Sequence, residues 1–429
     1  CAQPPYDCLP IPRADIPAGI ILSREADAWI RESNIDDVAL PVYGAKGFDL
    51  FDFSKKGWVS GKGRSAVWEA VGEQKEISPE YLMQRAAFEN DDREGAGWCR
   101  VLFKDISTAV HQRTMLSTIV PWYPAVNAAP VLLSRRTSDV LSIQWQLGSF
   151  ALDFVSRLRI GYLHLNYFVI QELPLIPSNF HSSAVWRRIG RIVERLCFNN
   201  QIFARSKVRI GNFEGAWKSG WAMVDRSERL RNRCMLDAMA LRMFGLRRED
   251  VKYVLRSSDL PSSALGGDAV NALPPKGFWR IDKSVEPELR SSVLTQVAYD
   301  NLEARIVESG GDLEAALIAF CDQNGGAGWG LPESVKLADH GLGGSERADT
   351  FEPVASRLGP IFLDWQMSQS TKESWRECRL HARNQLGEGG YRKLVAEIEV
   401  GKSGSSSGSD ALVSEIVPVY KPDEQGQLF

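Results

Sequence analysis

Arg100–Ser134, RVLFKDISTAVHQRTMLSTIVPWYPAVNAAPVLLS, and Leu141–Pro177, LSIQWQLGSFALDFVSRLRIGYLHLNYFVIQELPLIP, decide how this chain folds. Short β-rich apolar segments, Leu116–Trp122, Val131–Leu133 and Leu163–Ile170, alternate there with cations at bends. Those cations are Arg113, Arg135, Arg136, Arg157 and Arg159. The pattern predicts an α+β class, a mixed domain followed by long helices. Forked guanidiniums on such a rigid scaffold suit phosphates and guanine edges. A solvated arginine face on an ordinary α+β domain fits the same pattern.

Outward from this stretch, 429 residues are enough for two or three domains with their own cores. No apolar run approaches the length of a bilayer span, and no secretory leader pattern opens the chain, so no membrane partner is expected. Seven cysteines, an odd number without a framework, predict reduced thiols and a cytoplasmic setting. Cys378 and His381 would share a helical face, but two ligands do not complete a zinc site, so no metal is expected.

The net charge of −3 conceals an asymmetry. Residues 184–256 hold 17 lysines and arginines against 7 aspartates and glutamates, leaving 34 against 47 elsewhere. Phosphate contacts act within about a Debye length, roughly 10 Å, so a basic stripe can bind DNA on an acidic protein. Arginine is also a good helix former on a wet surface, and that reading stays open.

The order of residues resembles the target-recognition region of large adenine-N6 DNA methyltransferases of type IIG restriction-modification and phage-defence systems. Matching pieces are Arg100 with Lys104-Asp105-Ile106, then Arg113-Thr114, Pro121, Asn127, Leu147–Arg159, Leu163-His164-Leu165-Asn166 and Leu173-Pro174. Val42-Tyr43-Gly44-Ala45-Lys46 and Phe51-Asp52-Phe53 extend the likeness upstream. Leu236-Asp237-Ala238, Phe244-Gly245-Leu246, Tyr253-Val254-Leu255, Lys276–Lys283, Pro287–Arg290, Gly328–Glu333 and Glu377-Cys378 with His381 extend it downstream, to about residue 390. One departure is Gly148-Ser149-Phe150, where the family has Asn-Ser before the aromatic.

The family's catalytic tetrapeptide and its glycine-rich S-adenosylmethionine turn have no match. Gln3-Pro4-Pro5-Tyr6 is a near miss whose side chain is one methylene too long to hold a flipped adenine. The glycine pairs at Gly61-Lys62-Gly63, Gly95-Ala96-Gly97 and Gly326-Ala327-Gly328 read as turns. Glu73-Gln74-Lys75 has metal-nuclease spacing but lacks an upstream acidic partner on a strand. The chain is therefore expected to be the C-terminal part of a larger enzyme. No cofactor is expected within it, and S-adenosylmethionine is implied for the complete protein.

Five regions are expected. Residues 1–37 join a missing upstream domain, 38–177 read DNA, 178–260 form a basic helical spacer, 261–401 an acidic helical domain, and 402–429 a flexible tail. Asp225 is expected to cap a long helix ended by Gly245, Asp312 a second and Thr371 a third. Trp279, Trp329, Trp365 and Trp375 read as core. Residues 89–97 read as a mobile flap. Gln425-Gly426-Gln427-Leu428-Phe429 resembles the peptide by which bacterial DNA enzymes dock on the replication sliding clamp, with Gln425, Leu428 and Phe429 as anchors.

The function expected is sequence recognition on double-stranded DNA, beside an upstream methyltransferase domain or subunit. Arg100, Lys104, Arg113, Thr114, Arg157, Arg159 and Asn166 are the expected groove and backbone contacts. Arg135, Arg136, Arg187, Arg188 and Arg191 are expected on phosphates. A stand-alone specificity subunit, a fragment of an enzyme that also cuts, and a scaffold of a defence complex are the alternatives. The arginines should converge on one concave wall.

Overall fold

The computed structural model describes residues 8–11, 21–22, 28–31, 39–72, 75–89, 99–134, 136–161, 163–177, 183–210, 223, 225–265, 267–285, 287–332, 382, 386–387 and 389–396. The class is α+β, as expected. In chain order the strands are β1 (Cys8–Ile11), β2 (Ile21–Leu22), β3 (Ala28–Arg31), β4 (Ala39–Pro41), β5 (Lys56–Ser60), β6 (Val67–Ala70), β7 (Leu82–Gln84), β8 (Cys99–Phe103), β9 (Ser117–Pro121) and β10 (Val131–Leu132). The helices are α1 (Arg85–Glu89), α2 (Thr137–Leu147), α3 (Phe150–Arg159), α4 (Tyr167–Gln171), α5 (Ala184–Cys197), α6 (Ala204–Ile210), α7 (Arg226–Met243), α8 (Arg248–Val254), α9 (Ser291–Glu308) and α10 (Leu313–Gly326).

The apolar runs around Leu102 and Ile119 become neighbouring antiparallel strands in a small sheet of order β10-β8-β9, with Val101 opposite Ile119. Every residue of β8 and β9 is buried, including the polar Arg100, Ser117 and Thr118, so neither strand shows an alternation of buried and exposed residues. Helix α2 packs on them, and its Gln144 donates to the Ser117 carbonyl at 3.0 Å. Ser149 caps α3 by accepting from the Leu152 N–H. Gly148 just before it lets the chain pass the Phe51 ring, since a Cβ there would meet that ring at 2.7 Å.

The expected caps at Asp225 and Asp312 are present, accepting from the N–H groups of Glu228 and Ala315. Gly245 follows α7 with φ +79°. Thr371, Trp365, Trp375, most of the 89–97 segment and the tail with Gln425, Leu428 and Phe429 lie outside the described residues. Trp279 and Trp329 are buried, as read.

Two expectations change. Leu163–Ile170 is not a strand: it makes one bridge, His164 to Ile106, and then turns into α4. Its buried residues, Leu165, Val169 and Leu173, recur every fourth position, a helical period. The 178–260 helices are not a spacer standing clear of the rest. Along α7, Leu230, Asn232 and every residue from Cys234 to Leu241 are buried, so buried side chains point all around its axis. A helix enclosed on all sides belongs in an interior. It packs on α9, α3 and α5, and one hydrophobic core runs from Tyr43 through Met239 to Tyr391.

Candidate nucleic-acid interface

Arg157 leaves α3 and points inward, wholly buried. Its Nε donates to Asp153 Oδ1 at 2.9 Å, and Nη1 donates to the carbonyls of Lys276 (3.0 Å) and Gly277 (3.2 Å). Nη2 donates to the carbonyls of His111 (3.1 Å) and Gln112. The five N–H donors of a guanidinium thus meet five acceptors. Burial lowers the Arg157 pKa, with Asp153 opposing.

Arg113 enters the same interior. It donates to Asp237 Oδ2 at 3.2 Å, lies 3.8 Å from Asp153 Oδ2, and covers the Phe150 ring at 3.6 Å. Arg157 covers the Phe278 ring at 3.9 Å, and the two rings meet edge to face at 4.8 Å. Asp237 Oδ1 accepts from the Phe150 N–H at 2.7 Å. Burial pushes the Asp237 carboxyl up to about 6, against the pull of Arg113. Thr114 is also buried, its N–H on Asp153 Oδ1 at 3.1 Å and its hydroxyl on the Thr108 carbonyl. Arg100 donates to the Tyr123 carbonyl and lies over the Trp122 (4.5 Å) and Phe88 (5.0 Å) rings.

Arg100, Arg113, Thr114 and Arg157 are therefore corrected from groove contacts to internal braces. Sequence cannot distinguish the two, because a guanidinium at a bend serves phosphates and clustered carbonyls equally well. The single concave wall of arginines is corrected with them.

The basic segment after residue 184 is partly engaged within the protein: Lys207 is buried, whereas Arg226, Arg247, Arg248, Lys252 and Arg256 are exposed. Arg188 pairs with Asp322 (2.7 Å), Arg242 with Glu303 (2.9 Å) and Arg248 with Asp300 (2.6 Å), so cations of α5, α7 and α8 meet acids of α9 and α10. Lys207 and Glu194 form a wholly buried pair. Arg229 donates to the carbonyls of Phe51, Leu196 and Met223. Arg191 is half-buried in the field of Glu194 and Asp322. The charge asymmetry thus complements two parts of one body. Arg188 is corrected to a cross-link between helices, and Arg187 stays exposed on α5.

A different surface keeps part of the expected set together. Lys104 follows β8 with its ammonium 5.5 Å above the Phe48 ring. Burial lowers its pKa, Asp49 raises it, and Lys56 and Lys55 lower it further, which places three lysines in mutual reach. Lys55 and Lys56 were missed by sequence reading; their N–H groups donate to the Gly47 carbonyl at 2.7 and 3.2 Å, beside Phe48. Across the chain, the Leu165 N–H donates to the Asp105 carbonyl at 2.7 Å, which brings the exposed Asn166 to the same exit of β8. His164 Nδ1 lies 2.7 Å from Asp105 Oδ2. Exposed Ile106 and Leu163 flank that pair.

The remaining candidates divide. Arg136 is exposed at the start of α2, Arg159 is exposed but paired with Glu172, and Arg135 lies outside the described residues. Among the described residues no three His, Cys, Asp or Glu side chains are grouped to hold a metal ion, and no helix is long and apolar enough to cross a membrane. What the β8 exit can do chemically is bind an anionic, partly apolar ligand. Comparison with known proteins finds no matching family model, no matching curated protein and no matching solved structure.

Proposed function

We propose that this chain is the DNA-reading part of a site-specific adenine-N6 methylation system of the restriction or phage-defence type. An upstream domain or partner subunit would bind S-adenosylmethionine and transfer the methyl group. Lys104, Lys55 and Lys56 would hold phosphates, with Asn166 beside them and Arg136, Arg159 and Arg187 as further exposed contacts. One observation carries the reading. The separate pieces of the resemblance, Arg113-Thr114, Leu147–Arg159, Leu236-Asp237-Ala238 and Gly277-Phe278, meet in the Arg113–Asp237–Arg157–Phe278 cluster.

Anisotropy of a labelled duplex tests the DNA half. Binding should weaken steeply between about 50 and 200 mM salt, and Lys104→Ala should weaken it at every salt. Absence of duplex affinity at low salt defeats the reading. Supplying an adenine-N6 methyltransferase domain upstream should give N6-methyladenine at one sequence motif, and unmethylated DNA defeats that half. Exposed Ile106, Leu163 and Phe168 favour a second reading, a scaffold of a defence complex. Such a scaffold would show little duplex affinity at any salt.

A further inference from the structure

Strands β5 and β6 pair antiparallel with Trp58 opposite Trp68. All residues from Val59 to Ser65 are exposed, and Val59 and Val67 keep 49% and 47% of their surface. The β5 edge is supported by Ser78, whose carbonyl accepts from the Trp58 N–H at 2.8 Å, and from that support the ribbon projects an exposed tip and the exposed Val59 and Val67, a surface that a partner would cover. Resting on the DNA reading above, we infer that the β5–β6 ribbon enters the major groove of duplex DNA.

Charge selects that occupant. The tip Gly61-Lys62-Gly63-Arg64-Ser65 carries two cations, the base carries Lys55 and Lys56, and Glu69 is the only acid from residue 54 to 72. None of these four cations forms a salt bridge among the described residues. The ribbon base also adjoins Lys104 through Gly47 and Phe48, so phosphate contacts there and at the tip would be continuous.

The shape is held ready. Trp58 Nε1 donates to the Gly61 carbonyl at 2.9 Å, and the Ser65 hydroxyl donates to the Lys62 carbonyl at 2.9 Å. Gly61 has φ +76°, and a Cβ there would strike the Ser65 carbonyl oxygen at 2.4 Å. The Gly63 N–H donates to Glu80 Oε1 at 3.1 Å, tying the tip to the segment before β7. Strands about 4.8 Å apart make a ribbon that fits a major groove about 12 Å wide, whereas a minor groove about 6 Å wide excludes it. Lys62 and Arg64 would reach phosphates or guanine edges from a tip that orders little on binding.

The test uses the full chain with Lys62→Ala and Arg64→Ala combined, read by anisotropy on a labelled duplex. Affinity should fall about tenfold at fixed salt, and the slope of log K against log salt should shrink by about two. Thermal melting should be unchanged. The charge-keeping pair Lys62→Arg with Arg64→Lys should retain the salt slope. Methyl green, which fills the major groove, should displace the protein, and netropsin, which fills the minor groove, should not. If the wild-type chain binds and the alanine pair matches it in affinity and slope, the ribbon assignment is overturned while the DNA reading stands. Displacement by netropsin alone overturns the groove. A wild-type chain that binds no duplex overturns both.

Discussion

Arg113 stands 3.2 Å from Asp237, a residue 124 positions further along the chain. That contact ends a chain of four largely buried side chains, Asp237, Arg113, Asp153 and Arg157. Arg113 answers to Asp237 and Asp153, Arg157 answers to Asp153, and the edge-to-face rings of Phe150 and Phe278 each lie against one guanidinium. Helix α3, helix α7 and the 276–278 turn are pinned at one point, and the exit of β8 stands on the framework they form. The guanidiniums of Arg113 and Arg157 are taken up by these internal contacts.

Arg157→Met should be among the most damaging single changes. It would leave four backbone carbonyls without that donor and remove one of the two donors on Asp153 Oδ1, and breaking a buried pair costs about 3–5 kcal/mol. Arg157→Lys should lose much of the same stability, because three ammonium donors cannot satisfy five fork-placed acceptors. Urea midpoints of the two variants check this. A wild-type midpoint in either would show that the cluster contributes nothing.

Asp237 should give the fold a pH dependence. Its folded value near 6 lies above the roughly 3.9 of an unfolded aspartate, so the folded state binds the proton more tightly. Its contribution is therefore fully present below about pH 4 and is lost as pH rises through about 6, on the order of 3 kcal/mol. Asp237→Asn keeps an acceptor for the Phe150 N–H and removes the titration. The stability gap between wild type and this variant, followed by denaturation from pH 4 to 7, should move against the wild type as pH rises.

Gly148→Ala should destabilise by steric conflict, not by backbone strain, since Gly148 has φ −72°. The added methyl would meet the Phe51 ring at 2.7 Å and the Gln144 carbonyl oxygen at 3.1 Å. Overpacking of this kind costs about 1–3 kcal/mol. Trimming the ring with Phe51→Leu should recover part of that loss, so a double-mutant cycle should show coupling. Strict additivity would mean that the ring moves aside freely.

Burial holds the thiols of Cys197, Cys234 and Cys321 near 12, and Cys99 is buried as well. Thiolate is the reactive form, so none of the four should titrate with a disulfide reagent in the native protein. Denaturant should release them together. Early labelling of Cys321, mapped by mass spectrometry, would show that α10 opens locally.

Sequence carried the local rules well. Asp225, Gly245 and Asp312 mark helix ends through caps that need only neighbouring residues. Ser117–Pro121 and Val131–Leu132 appear within the short β-rich segments Leu116–Trp122 and Val131–Leu133. Leu163–Ile170 went astray because its apolar residues crowd a short window, and only burial of Leu165, Val169 and Leu173 reveals the four-residue period. The candidate surface was half legible. Lys104 and Asn166 do share the exit of β8, whereas Arg100, Arg113 and Arg157 were misplaced because their partners are carbonyls and aromatics remote in sequence. Lys55, Lys56, Lys62 and Arg64 were overlooked beside glycines read only as turns. Four cations with one acid in nineteen residues was the available clue.

The reach of Arg157 to residues 111, 112, 276 and 277 restricts how this polypeptide can be shortened or recombined. A version ended after α8 would strand two guanidinium donors in a dry interior, and a foreign insert replacing 100–177 would have to restore an arginine at the same point on α3. Exchange of segments with another protein should succeed only when the crossover leaves both ends of that bridge in one parent.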